Sequence, residues 1–348
     1  VETPYQPIFE VTRGKIVESV HFGAAAVVDA HGRLIAELGD PQAVTFLRST
    51  AKPFQALPFI ERHGPETFGL TAREIAIMCS SHSGTDEHVA TVQAMQAKIG
   101  IGVDDLMCGT HYPYHEPTTD AMKLRGETPT AYRHNCSGKH TGMLAHAKMR
   151  NAPLTSYLDF EHPVQASILQ AFAEMCDLSV ENVELGIDGC SAPNFAAPLY
   201  SAALGYARLC DPFGLPAERA QACRTITNAM TAHPDMVGGP QRFDTLLMEL
   251  AQGRIVVKGG AEGYQGLGLL PGALGPDSPG IGITIKISDG DSSGRARFGV
   301  ALAILKALGA LSENDLEKLA EFGPEKQLYN YRKLYIGKSC PAFQLEIN

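Results

Sequence analysis

Tryptophan is absent, no CxxC pair occurs, and no apolar run approaches the roughly 20 residues that span a bilayer. The N-terminus lacks the basic, then apolar, then small-residue pattern of a signal peptide, so the expectation is a cytoplasmic chain with no membrane partner. A leader removed ahead of Val1 would leave no trace. Positive charge is also in deficit. The 29 Lys and Arg against 38 Asp and Glu give a net charge of -9, which works against an unspecific grip on phosphate, so no nucleic-acid partner is expected. Cysteine is too sparse for a disulfide scaffold, with eight in 348 residues, and most are expected to be buried thiols. Cys136 and Cys190 stand apart because each sits in a glycine-flanked polar segment.

What is present belongs to an ordinary globular protein: 44% hydrophobic and 19% charged residues, no low-complexity tract, and length enough for a large core. Residues 21–38 read as two strands joined at Ala30-His31-Gly32, and 42–47 as another strand. Ser49 follows where strand gives way to helix. Pro53 falls in that helix's first turn, where its missing amide hydrogen costs nothing, and the helix runs to about Glu61. Thr71-Ala72-Arg73-Glu74 is a capping box opening a short helix that ends near Cys79, and a second helix starts after Ser83-Gly84-Thr85, leaving Ser81 and His82 in a loop. Helical patterns follow near 139–149, 163–176, 195–210, 217–232 and 243–252. Strands return at 254–258, 265–270 and 282–287, with a helix over 292–308.

Strands at both ends and helices between them predict an α+β fold, an α/β/α sandwich in which one antiparallel sheet is built from both termini. Residues 1–348 form a single unit in this reading, with a sheet subdomain at about 1–60 and 250–348 and a helical subdomain at about 61–249. The site is expected at the seam where Ser49 and Lys258 emerge.

Ser49-x-x-Lys52 is a weak signal alone, since an N-cap serine with a solvated lysine looks the same. Order strengthens it. A strand, Ser-x-x-Lys at a helix start, a loop serine at Ser81 and a strand ending in Lys258-Gly259-Gly260 follow the sequence of elements in penicillin-binding proteins and class A β-lactamases. Serine needs a base to take its proton, and lysine serves only where burial or nearby cations lower its pKa. Two pairs are available, Ser49 with Lys52 and Ser81 with Lys258. His134-Asn135-Cys136-Ser137-Gly138-Lys139-His140 admits a cysteine-histidine nucleophile, a metal site shared with Cys190, or a helix start tightened at Gly138. Gly186 to Asn194 reads as a polar turn that brings Asp188 and Cys190 together before a helix. His111-Tyr112-Pro113-Tyr114-His115 is aromatic enough to line a pocket, whereas His31, His63 and His162 read as surface or packing residues.

Arg48 to Pro58, Cys79 to Gly84, His134 to His140, Gly186 to Asn194 and Val257 to Gly263 together resemble the asparaginase II family, the thermolabile rhizobial-type or class 3 L-asparaginases. The resemblance runs from about Arg13 into the C-terminal region with every block in order. It implies hydrolysis of L-asparagine to L-aspartate and ammonia by a homodimer with a serine β-lactamase-like fold. It further implies two Ser-Lys tandems, Ser49 with Lys52 and Ser81 with Lys258, and a zinc ion held by Cys136, Lys139 and Cys190. Arg48, Lys139, His140 and Asp188 fall at positions around the substrate. Two residues depart from the family pattern: Gly259 follows the lysine where threonine is expected, and Asp244 stands where some members carry cysteine.

The expected chemistry is acyl transfer, with Ser49 deprotonated by Lys52 and attacking the side-chain amide, and Ser81 with Lys258 relaying the proton or positioning the oxyanion. Arg48 would pair with the substrate carboxylate and Asp188 with its ammonium. The rival readings are a glutaminase or another serine amidohydrolase of the same fold, and a non-catalytic zinc-binding or ligand-sensing module.

Overall fold

Small and β-branched residues dominate residues 23–29, and a strand made of them can be buried on both faces. In the computed structural model, which describes residues 3–348, this stretch is the centre of an eight-stranded antiparallel sheet. The N-terminal strands are β1 (Gln6–Arg13), β2 (Ile16–Asp29) and β3 (Leu34–Leu38), and β4 (Val44–Phe46) follows. Next come β5 (Glu184–Ile187) and β6 (Pro193–Pro198), then β7 (Ile255–Gly259), β8 (Tyr264–Leu269) and β9 (Ile281–Ile287), and finally β10 (Lys326–Tyr329) and β11 (Tyr335–Pro341). The large sheet runs β10-β11-β1-β2-β9-β8-β7, and β3 pairs with the second half of β2. Its strands come from the two ends of the sequence, as expected.

β8 and β9 are buried along their whole length, so both faces of the sheet are covered. Helix Leu199–Cys210 lies on one face, against β2, β8 and β9, and helix Arg297–Ala307 on the other. Close approach on the first face depends on Gly282, where a Cβ would overlap the Ala203 carbonyl. The result is the α+β fold of the sequence reading, with an antiparallel sheet between helical layers, most of the other helices between β4 and β7, and helix Glu313–Lys318 between β9 and β10. None of the described helices is long and apolar enough to cross a membrane.

Two local readings change. Residues 195–198 are not the start of a helix but belong to β6, and Gly186 to Asn194 is a β5–β6 hairpin, not a loop leading into a helix. Pro198 is the reason. It holds Ala197 away from the helical region, so the helix begins at Leu199. The second change is at residues 292–296, which precede helix Arg297–Ala307 and wrap around Asp291; its carboxylate accepts from the Arg295, Ala296 and Arg297 amides.

β5 and β6 join β4 in a separate three-stranded sheet of order β4-β6-β5. Phe46 pairs with Ala196 in it, which places Arg48 and Ser49, just past β4, beside Asp188 and Asn194.

Candidate active site

Arg48 to Ala51 form one 3-10 turn, and helix Lys52–Glu61 follows with Pro53 in its first turn. Arg48 is held at φ 54, a strained value for a residue with a Cβ. Asn194 Oδ1 accepts from the Arg48 amide at 3.1 Å, and Asp188 Oδ1 accepts from Arg48 Nε at 2.8 Å. Arg48 and Asp188 therefore satisfy each other. Residues 52–60 of the helix are all buried, Lys52 among them.

The buried Lys52 ammonium has three protons to place, and three acceptors surround it: Ser80 O at 2.5 Å, Ser81 Oγ at 2.9 Å and Asn135 O at 3.5 Å. Ser81 stands just past helix Ala72–Met78, whose Thr71–Glu74 capping box forms as expected, and its amide donates to Val237 O at 3.0 Å. Lys258, near the end of β7, brings Nζ to 2.9 Å from the same Ser81 Oγ and 2.6 Å from Gly259 O. Both lysines converge on Ser81. Ser49 shares the cavity with Ser81, and its Oγ has no hydrogen bond to either lysine.

Burial, reinforced by the neighbouring Lys52 ammonium and opposed by the Asp244 carboxylate, lowers the Lys258 pKa to about 7. Lys258 can thus be a free amine near neutrality, able to accept a proton from the hydroxyl beside it. Asp244 is itself anchored: Oδ2 accepts from the Gly259 amide at 2.7 Å and Oδ1 from Gln265 Nε2 at 3.3 Å. A Cβ on Gly259 would stand 3.2 Å from Asp244 Oδ2, so the two departures from the family pattern occupy one site and fit each other.

His82, Ser137 and Tyr132 back the serine loop. The Gly84 amide donates to His82 Nδ1, which leaves Nε2–H to donate to Ser137 Oγ at 2.9 Å, and Ser137 donates to Tyr132 O. Burial, with His88 and Lys52 adding to it, holds His82 neutral. Helix Ser137–Met149 presses on helix Ala72–Met78 at Gly138, where a Cβ would collide with the Ile77 carbonyl.

Cys136, Cys190, Lys139 and His140 form a buried cluster on the neighbouring wall. Lys139 Nζ donates to Cys190 Sγ at 3.0 Å. A hydrogen bond from Cys136 pulls the Cys190 thiol far below its ordinary range; burial opposes this, and the Lys139 ammonium adds to it. The Cys136 thiol is correspondingly pushed up. Burial works against the Lys139 charge, yet the Cys190 and Cys136 sulfurs outweigh it and raise the amine. His140 Nδ1 pairs with Tyr157 Oη at 2.6 Å, while its Nε2 is buried without a hydrogen-bond partner. Among the described residues no three His, Cys, Asp or Glu side chains gather as a metal site.

A cavity of about 460 Å³ opens over Ser49 and Ser81. Tyr114 lines it, from the aromatic segment expected to line a pocket, and so do Asn135, Arg242, Asp244, Glu262, Asp291 and Arg297. Sequence reasoning passed over Arg242 and Arg297. Each lies in a glycine-rich polar stretch, Gly238 to Asp244 and Gly290 to Arg297, which was the available signal.

A family model described as L-asparaginase II matches residues 9–339. No curated protein matches the sequence at a significant level. Among solved structures, a Bacillus subtilis glutaminase in covalent complex with 5-oxo-L-norleucine is similar at 13% identity over 78% of this chain and 81% of that one, with a TM-score of 0.35. Mglu is similar at 16% identity over 84% and 69%, with a TM-score of 0.36. Likeness at this level is too low to transfer a mechanism.

Proposed function

Because the chain belongs to the L-asparaginase II family and is an amidohydrolase, we propose that it hydrolyses L-asparagine to L-aspartate and ammonia with Ser81 as nucleophile. The observation that carries the choice of serine is the convergence of Lys52 and Lys258 on Ser81 Oγ, each at 2.9 Å. The roles are thereby reversed from the expectation that Lys52 serves Ser49.

Lys258, with its pKa near 7, takes the Ser81 proton as Oγ attacks the side-chain amide carbon. The Lys52 ammonium, tethered to Ser80 O and Asn135 O, stays beside Oγ and stabilises the negative charge that develops around the reacting centre. The C–N bond then breaks, and the Lys258 ammonium returns its proton to the leaving nitrogen, giving ammonia and an aspartyl ester on Ser81. Water attacks that ester with Lys258 again as base, releasing aspartate and restoring the Ser81 hydroxyl. Ser49 lines the same cavity and contributes a hydroxyl that can hydrogen-bond the amide or the attacking water.

In this proposal Cys136, Lys139 and Cys190 would hold a zinc ion: the two thiols are ligands that zinc takes once deprotonated, and Lys139 Nζ, 3.0 Å from Cys190 Sγ, would join them only after losing its proton. Bound there, the ion would supply a fixed positive charge next to the cavity. In this reading Lys139 and His140 belong to the buried cluster behind the cavity, the Arg48–Asp188 pair closes on itself beside a separate cavity, and a homodimer is part of the same proposal.

Ammonia release from L-asparagine tests the assignment. Lys258→Met is expected to lower kcat by about 10²–10⁴, the usual worth of an acid-base partner, and Ser81→Ala, which removes the nucleophile, by at least as much, whereas Ser49→Ala keeps more activity than either. Near-normal turnover in Ser81→Ala removes Ser81 from the nucleophile's role.

A further inference from the structure

The cavity over the serines is also lined by Arg242, Asp244, Asp291 and Arg297. The two acids there are already engaged. Asp244 is taken by the Gly259 amide and Gln265, and Asp291 by the three backbone amides ahead of helix Arg297–Ala307. The two arginines are not. One Arg297 nitrogen donates to Gly260 O, its guanidinium stacks at 4.6 Å over the Phe298 ring, and its Nε is buried without any partner. Arg242, half-buried at the start of helix Phe243–Ala251, makes no side-chain hydrogen bond or ion pair among the described residues. It lines the cavity together with Tyr114 and Arg297.

A half-buried fork of N–H donors without an acceptor, lining the same cavity as a second, partly unsatisfied guanidinium, is a site short of an anion. Arg48 offers no such vacancy. It is closed on Asp188 and lines a separate cavity with Thr45, Phe46, Glu262 and Lys286. The substrate class under the proposed function brings one anion of its own, the α-carboxylate of a free amino acid.

We propose that Arg242, backed by Arg297, binds the α-carboxylate of the substrate and so selects free amino-acid amides over amides that lack that group. This rests on the amino-acid amidohydrolase reading above. It moves the carboxylate partner from Arg48, the sequence expectation, to an arginine that lines the Ser81 cavity. A bidentate guanidinium-carboxylate pair there orients the side-chain amide toward Ser81, whereas a lysine would supply charge without the fork.

The test compares L-asparagine with β-alaninamide, the same molecule with hydrogen in place of the α-carboxylate, in wild type, Arg242→Gln, Arg242→Lys and Arg48→Gln. The expected result is a kcat/KM preference for asparagine that collapses tenfold or more in Arg242→Gln through a raised KM, is partly restored in Arg242→Lys, and survives in Arg48→Gln. An unchanged preference in Arg242→Gln, or its loss in Arg48→Gln instead, overturns the proposal. Calorimetric titration with L-aspartate and with β-alanine supplies a readout independent of turnover. Aspartate binding that depends on Arg242 in a protein that releases no ammonia would uphold this site and sink the asparaginase reading. Aspartate binding that is equal in wild type and Arg242→Gln, or absent from both, sinks this proposal whatever the turnover.

Discussion

Lys258 carries two opposing influences that a single substitution can separate. Burial and the Lys52 ammonium push its pKa down to about 7, and Asp244 pushes back. A base must be deprotonated to act, so kcat/KM is expected to fall on the acid side of about pH 7 as Lys258 gains its proton. Asp244→Asn removes the opposing negative charge while keeping an oxygen for the Gly259 amide. The Lys258 pKa then drops further, and the acid limb of the kcat/KM profile moves to lower pH. A limb that stays in place, or moves to higher pH, contradicts the assignment of that limb to Lys258. The same carboxylate crowds position 259: a side chain there would press its Cβ to 3.2 Å from Asp244 Oδ2, which a glycine avoids.

The helices that meet at the serine loop hold Ser81 in place by close contact. Gly138 lets helix Ser137–Met149 press its first turn against the Ile77 carbonyl, four residues ahead of Ser81. Gly138→Ala forces a Cβ into that carbonyl, and overpacking of this kind costs about 1–3 kcal/mol. A lowered thermal midpoint is expected together with a fall in kcat larger than the fraction unfolded accounts for, because the Ser81 loop shifts with its helix. An unchanged midpoint would show that the two helices have slack. The serine loop also marks how far the sequence could be read. The Thr71–Glu74 capping box and the Thr85 cap with Asp86 and Glu87 behind it delimit Ser81 by local chemistry, and both form. The β5–β6 hairpin was hidden because Asn194-Phe195-Ala196-Ala197 has helix-forming alanines, and pairing with β4 and β5 overrides that preference. β1, β10 and β11 passed unread because they mix exposed polar and apolar residues, and pairing between the chain's two ends is what makes them strands.

Across the whole molecule the site is assembled from segments that sequence distance keeps apart. Lys52 and Ser81 meet across 29 residues, and Ser81 and Lys258 across 177. Of the two pairs read from the sequence, Lys258 does face Ser81, whereas Lys52 faces Ser81 and not Ser49. Ser49 and Lys52, three apart in sequence, suggest a local pair; the fold instead buries Lys52 toward the Ser80 and Asn135 carbonyls, and Ser81 lies in that direction. The large sheet delivers Lys258 on β7, and the small sheet delivers Arg48 and Ser49 after β4. Helix Ala72–Met78 delivers Ser81 between them. One measurement reaches the centre of this arrangement: treatment of the intact protein with a diazoketone analogue of L-asparagine, followed by peptide mass mapping. A Ser81 nucleophile predicts covalent label on the peptide containing Ser81, and none when Lys258 is replaced by methionine; label on Ser49 with Ser81 unmodified would contradict it.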